Sequence, residues 1–190
     1  MGLWDAMVGR NKVKGPNLDA LFGIPSAAIT LETSAGFVPT GVGSVCFRAA
    51  SGAAYHQMQA DILALIKDSP DAPEVEVSLD DFGYTWLVVH GDPNDTASLC
   101  TDLHAVNSTL VDQGFDSGLL CTLVPFGDPS GRRFGLVYLY KQGTFYAFAP
   151  QGERSRDNLL EIQIRETLEG ELPMEQDLTR WLAVWGAPGL

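Results

Sequence analysis

Pairs of strand-like segments joined by tight turns constrain the fold more than any other feature of the sequence. The shortest connection is Gln142-Gly143, which separates residues 134–141 from residues 144–150. A two-residue loop joins only antiparallel neighbours, because a parallel pair needs a crossover of about a dozen residues. Longer turns join residues 74–79 to 84–90 and residues 119–126 to 134–141 in the same way. The sequence therefore predicts a largely antiparallel sheet.

Further segments complete a predicted α+β fold. Alternation predicts two more strands, at residues 28–33 and 43–48. Helical spacing predicts helices at residues 2–9, 18–22, 53–67, 156–169 and 174–185, and a central helix that starts after Asp92 or Asn94 and ends before Gly114. In the central helix we expect Leu99, Leu103, Val106 and Leu110 to be buried. The expected architecture is one α+β domain, with a sheet of about 5–7 strands and packed helices. Secretion chaperones share this general shape, but a likeness of fold does not set function.

The length and the cysteine content indicate the organisation and location of the protein. Its 190 residues correspond to a single domain, residues 16–190, after an N-terminal tip, residues 1–15. No apolar run is long enough to span a membrane, and the tip has its basic residues after its apolar ones, the reverse of a secretory signal. Cys46, Cys100 and Cys121 are too few and too scattered for a disulfide framework. These features predict a cytoplasmic location.

The net charge of −12 comes entirely from the middle third of the chain. Residues 68–131 contain twelve acidic side chains and no lysine or arginine, whereas the rest of the chain is neutral overall. Such a field repels phosphate backbones, so nucleic acid is disfavoured as a partner. Two interpretations remain open: a surface that keeps the protein soluble, or a docking face for a basic partner. A faint calcium-loop pattern that begins at Asp92 has Ala97 and Leu103 where glycine and glutamate are required, so we reject it.

The sequence contains no combination of residues typical of catalysis. It has no zinc-ligand spacing, nucleophile motif, phosphate-binding loop or dinucleotide-binding glycine pattern. Cys100 and His104 are four residues apart on the central helix, a spacing that we attribute to chance. We predict no catalytic residue, no cofactor and no metal.

A cluster of aromatic and basic residues supports a different function, a small-ligand-binding protein or an enzyme. The predicted strands between Tyr138 and Tyr146 contain Tyr140 and Lys141. Four arginines lie nearby in the sequence, Arg132, Arg133, Arg154 and Arg156. These side chains form a basic patch if the strand ends converge; otherwise they pair with the neighbouring Glu153, Asp157 and Glu161.

The N-terminal tip has an amphipathic composition. Trp4 belongs to a short apolar strip, and Arg10, Lys12 and Lys14 follow it. These four residues are the candidate interaction residues of the chain. The segment either packs on the domain or makes, at most, weak peripheral contact with an anionic membrane.

Several short stretches, in this order and spacing, resemble the PspAB family of proteins associated with the phage-shock protein PspA. They are NLDALF at 17–22, PSAAITLE at 25–32, GVGSVCF at 41–47, YTWLV at 84–88, HAVNSTL at 104–110, LVYLYKQGTFY at 136–146, RDN at 156–158, LTRWL at 178–182 and WGAP at 185–188. The resemblance covers nearly the whole chain and carries no catalytic signature. It implies a small bacterial cytoplasmic protein encoded near a PspA-type protein, and PspA-type proteins are coiled-coil proteins that bind stressed inner membrane. From it we expect a non-enzymatic accessory protein whose partner is a PspA-like coiled-coil protein or another accessory protein of the same system.

Overall fold

The structure, a computed structural model, describes residues 16–48, 60, 61, 64, 73–152 and 154–190. The main sheet consists of β1 (Val38–Pro39), β2 (Val42–Phe47), β3 (Val75–Leu79), β4 (Thr85–His90), β5 (Leu119–Gly127), β6 (Arg133–Leu139) and β7 (Thr144–Phe148). Its strand order is β3-β4-β2-β5-β6-β7, with β1 also paired to β5, and each of these pairings is antiparallel. A second, small sheet pairs β8 (Pro150–Gln151) with β9 (Ser155–Arg156). The predicted antiparallel sheet is confirmed, and the predicted strands from 43–48 onwards match observed strands with shifts of one or two residues at their ends.

Different elements cover the two faces of the main sheet. One face, called the helix face, carries α1 (Ile24–Ala35), α2 (Thr96–Asp112) and α3 (Asn158–Leu168) over buried side chains such as Phe126 and Leu136. The opposite face, called the strap face, is partly covered by residues 181–190, called the C-terminal strap. Trp86, Tyr146 and Phe148 of the sheet form one apolar cluster with Trp181 and Ala187 of the strap. The fold is a single α+β domain with a buried core on each side of the sheet.

The helix α1 replaces the predicted strand at residues 28–33. Its buried residues Ile24, Ala27, Ala28 and Leu31 follow helical spacing, whereas Ile29 is 65% exposed. Pro25 lies in the first turn, where its missing N–H costs nothing, and Gly36 ends the helix with a φ of 72°. The β-branched residues favoured a strand, but packing on the sheet outweighs that weak preference.

The helix α2 confirms the buried stripe predicted for the central helix. Leu99, Leu103, Val106 and Leu110 are each at most 1% exposed. The cap is Asp95, not Asp92 or Asn94, and its carboxylate accepts a hydrogen bond from Ser98 N–H at 3.0 Å. The helix lies close to β2, because a Cβ at Gly43 would be 2.6 Å from Leu103 Cδ1. A glycine at that position is therefore part of the packing.

The predicted helix at residues 174–185 does not form. A 3₁₀ turn at Leu178–Arg180 is the helical part, and the chain around it is mostly irregular. The edge of β7 takes backbone groups that a helix would need, since Phe145 N–H donates to Pro173 C=O and Glu175 N–H donates to Phe145 C=O. Met174 and Trp181 are buried, whereas Leu178 and Leu182 are exposed, so the apolar residues do not form one buried helical face.

The remaining predicted helices have different outcomes. Residues 18–22 fall within a 3₁₀ helix, Leu18–Gly23, that leads into α1. The predicted helix at 156–169 is confirmed as α3, with Leu160, Ile164 and Leu168 buried. The helix at 2–9 and most of the helix at 53–67 lie outside the described residues.

Candidate ligand groove

A groove of about 630 Å³ opens on the strap face, where the C-terminal strap leaves the sheet uncovered. Its floor is one row of side chains across four strands, because Trp86 pairs with Cys46, Cys46 with Cys121, and Cys121 with Leu139. Phe82 and Tyr84 of the β3–β4 hairpin line one side, and residues 179–185 line the other. The groove therefore has an apolar floor between two walls that belong to distant parts of the chain.

Two cysteines of the floor, Cys46 and Cys121, are buried and lie directly opposite each other on β2 and β5. Their mutual hydrogen bond, together with burial, raises the pKa of Cys46 far above its ordinary value. Because a thiolate, and not a thiol, acts as nucleophile or metal ligand, the Cys46 side chain behaves as a small apolar group.

Basic side chains dominate the end of the groove beside the 3₁₀ turn Asp116–Gly118. Arg48 lies over the Tyr84 ring, 5.6 Å from its centroid, and donates to the Tyr84 hydroxyl at 3.3 Å. Lys141 Nζ donates to Ser117 C=O at 3.2 Å. The carboxylate of Asp80, which also lines the groove, instead accepts from Phe82 N–H, Tyr84 N–H and the Trp86 indole. Among the described residues, Asp80 thus forms no ion pair with Arg48 or Lys141.

Buried polar contacts hold the strap wall in position. Tyr146 donates its hydroxyl hydrogen to Leu182 C=O at 2.8 Å, and Arg156 donates to Trp181 C=O at 2.6 Å. The Trp181 indole donates to Glu175 C=O at 3.1 Å. Burial opposes ionisation of Glu175, but hydrogen bonds from Asp177 N–H and the Thr144 hydroxyl, with Arg180 nearby, hold its pKa below the ordinary value. The wall is a fixed part of the domain.

The tyrosines predicted for a ligand site are divided between the two faces. Tyr146 borders the groove, whereas Tyr138 and Tyr140 belong to the core of the helix face. The Tyr138 hydroxyl bonds to both backbone groups of Asn17. Strand alternation causes this division. Tyr138 pairs with Phe145 on β7, and Tyr146, the next residue after Phe145, points to the opposite face.

Of the two arrangements that the sequence left open for the basic residues, a single patch does not form. Arg132 pairs with Asp128 at 2.7 Å, and Arg156 pairs with Glu161 at 2.9 Å. Glu161 is one of the partners that the sequence offered. Arg132 and Arg133 border a separate depression of about 540 Å³ at the far end of β6. Lys141 lies beyond the opposite end of that strand, in the groove. The sequence identified Lys141 as a candidate but missed Arg48, which carries no local signal.

The Cys100–His104 pair has no catalytic geometry. Cys100 is fully buried, and burial raises the pKa of its thiol to about 12. His104 is stacked on Phe22 and lies 3.4 Å from an Asp19 carboxylate oxygen. The four-residue spacing therefore reflects only the positions of the two residues on α2.

The described part of the chain has neither a metal-ligand cluster nor a membrane-spanning helix. Within the described ranges, no group of three or more His, Cys, Asp or Glu side chains is placed to hold a metal ion. No helix of the described part of the chain has the length and apolar character that crossing a bilayer requires. The candidate interaction residues Trp4, Arg10, Lys12 and Lys14 lie outside the described residues.

The fold and the groove define a single-domain α+β protein with an apolar, basic-rimmed groove between its sheet and its C-terminal strap. The chain belongs to the PspAB family: the family profile described as PspA associated protein B matches residues 1–189. The predicted resemblance is confirmed, and the family description supports an accessory role with PspA. Neither the curated proteins nor the solved structures that were searched gave a significant match.

Proposed function

We propose that this protein is a non-enzymatic, cytoplasmic accessory protein of a PspA-type envelope-stress response, and that it binds a PspA-like coiled-coil protein. The observation that carries this proposal is the family match over residues 1–189, because the family description names PspA. The acidic surface of the middle third supports the mode of binding, since acidic and basic surfaces attract and orient each other. Another accessory protein of the same system is the alternative partner.

The β3–β4 hairpin is the part of the acidic region best suited to such docking. Leu79 and Phe82 near its turn are 59% and 57% exposed, and Asp81 between them is exposed as well. Glu74 and Glu76 are exposed along the same hairpin. A helix that presents apolar and basic side chains on one face matches this combination of exposed apolar groups and carboxylates.

Co-purification with the cognate PspA-like protein at low and high salt tests the proposal. We expect a complex that weakens as salt rises, because screening reduces attraction between exposed charges. The variant Glu74→Lys/Asp81→Lys should weaken the complex at low salt. The control Glu166→Lys/Glu169→Lys makes the same charge change at exposed positions outside the acidic third and should bind as the wild type does.

Two results would count against this proposal. No co-purification with the PspA-like protein at either salt concentration would refute the partner. Equal losses in the two double variants would show an effect of net charge and would refute the role of the hairpin.

For the N-terminal tip we propose, at most, weak peripheral membrane contact through Trp4, Arg10, Lys12 and Lys14. Each basic residue near an anionic surface contributes about 1 kcal/mol, which supports reversible contact but not stable anchoring. Flotation with anionic liposomes should show weak binding that is lost in Trp4→Ala and on deletion of residues 1–15. Wild-type protein that does not float would end this proposal, and a large loss of thermal stability in Trp4→Ala would place the tip in the core.

A further inference from the structure

The groove combines two features that fit one chemical class of ligand. The first is its floor, Trp86, Cys46, Cys121 and Leu139, which has no charged side chain. The volume of about 630 Å³ lies within the range of about 300–1,000 Å³ that is typical of small-molecule sites. Covering such a surface with an apolar chain lowers the free energy, because apolar area is removed from water.

The second feature is a pair of cations at one end of the groove. The backbone N–H of Arg48 donates to Gly118 C=O at 2.9 Å, and the Lys141 ammonium donates to Ser117 C=O at 3.2 Å, so both residues flank the same turn and line the groove. The Arg48 guanidinium itself lies over the Tyr84 ring. Within the described ranges, neither side chain has a carboxylate oxygen at ion-pair distance. Arg180 on the opposite wall differs, since it lies 3.4 Å from Glu175 and 3.5 Å from Asp177. Among the described residues, Arg48 and Lys141 are therefore groove-lining cations without a carboxylate partner, in a protein whose net charge is −12.

We propose that the groove binds a free long-chain fatty acid, with its carboxylate at Arg48 and Lys141 and its acyl chain along the floor. The planar guanidinium of Arg48 matches the two oxygens of a carboxylate, and the ammonium of Lys141 adds a second charge-assisted donor. The acyl chain would lie against Trp86 on the floor and Trp185 on the strap wall. This inference is independent of the proposed docking to a PspA-like protein.

Tryptophan quenching by a brominated fatty acid locates the acyl chain. We expect dibromostearate, below its critical micelle concentration, to quench the fluorescence of the full-length protein, because bromine quenches an indole that it contacts. Stearate should bind competitively without that quenching. Since Trp4 is also a fluorophore of the chain, the titration is repeated with Trp4→Phe, in which the quenching should persist. Quenching that disappears in Trp4→Phe would place the acyl chain at the N-terminal tip and overturn the proposal.

Variants of the rim test the head-group end. We expect Arg48→Ala/Lys141→Ala to weaken binding of stearate at least tenfold in calorimetric titrations. The control Arg132→Ala/Arg154→Ala removes the same charge from exposed positions outside the groove and should retain wild-type affinity. Uncharged octadecanol and zwitterionic lysophosphatidylcholine should bind at least tenfold more weakly than stearate. Equal affinity of the rim variant and the wild type, or of octadecanol and stearate, would overturn the proposal.

Discussion

The buried ion pair between Arg156 and Glu161 provides the sharpest test of how the C-terminal strap is held. The Glu161 side chain is 3% exposed, and its Oε1 accepts hydrogen bonds from Arg156 Nε at 2.9 Å and from Ala149 N–H at 2.8 Å. Arg156 also donates to Trp181 C=O and lies 5.0 Å from the centroid of the Phe148 ring. One guanidinium thus links α3, β7 and the strap.

The two residues contribute unequally when each is changed alone. We expect Arg156→Met to lower the free energy of unfolding by about 3–5 kcal/mol, because a buried carboxylate loses its counter-charge. Glu161→Gln keeps an oxygen acceptor for Ala149 N–H and removes the charge, so its expected cost is about 1.5–3 kcal/mol, the contribution of a hydrogen bond to a charged group.

The double variant Arg156→Met/Glu161→Gln separates pairing from packing. It contains neither buried charge, and Ala149 N–H still has its acceptor. We expect Glu161→Gln to cost less in the Arg156→Met background than in the wild type, with a coupling free energy of about 1–3 kcal/mol.

Urea unfolding at neutral pH, followed by circular dichroism and tryptophan fluorescence, measures these differences. Arg165→Met is the matched control, because the contact that Arg165 makes among the described residues is with the Trp181 ring, 5.9 Å from its centroid, and the substitution should cost about 0.5–1 kcal/mol. If the effects of Arg156→Met and Glu161→Gln simply add in the double variant, the two side chains are not coupled, and the reasoning is refuted.

Three further predictions concern the core, a helix cap and a turn. Leu103→Ala should lower the free energy of unfolding by about 2–5 kcal/mol, and Ile29→Ala, at an exposed position, by about 0.5 kcal/mol or less; equal losses in chemical denaturation would contradict the packing. Asp95→Ala should cost about 1 kcal/mol through loss of the α2 cap, and an unchanged melting temperature would argue against that cap. Desolvation opposes ionisation of Asp128, but hydrogen bonds within its turn and the charge of Arg132 hold its pKa at about 2, below the ordinary value of 3.8. Its contribution to stability should therefore be complete above about pH 4 and be lost as the pH falls towards 2; a carboxyl titration by NMR that gives an ordinary pKa would contradict this.

The sequence by itself determined the features that depend on neighbouring residues. The connection Gln142-Gly143 leaves only antiparallel geometry for the strands on either side, which pair as β6 and β7. The spacing of Leu99, Leu103, Val106 and Leu110 identified α2 and its buried side, since helical period and burial act within one element. The absence of a catalytic motif was also a property of the sequence, and it remains a prediction about function.

Long-range packing decided the rest. Residues 28–33 contain β-branched side chains that favour a strand, but they are helical because Ala27, Ala28 and Leu31 pack into the core from one side of α1. Residues 174–185 have helical spacing but are mostly irregular, because the edge of β7 bonds to Pro173 C=O and Glu175 N–H at the start of the segment.

The groove, too, could not be read from local patterns. Cys46 and Cys121 become neighbours only because β2 lies between β4 and β5 in the sheet. Arg48 and Lys141 flank one turn for the same reason, because β2 and β6 lie on either side of β5. Nothing in the sequence around either residue indicates that the other lies nearby. Strand order is a tertiary property that depends on how the whole chain buries its apolar surface, so the site that it assembles is visible only in the folded structure.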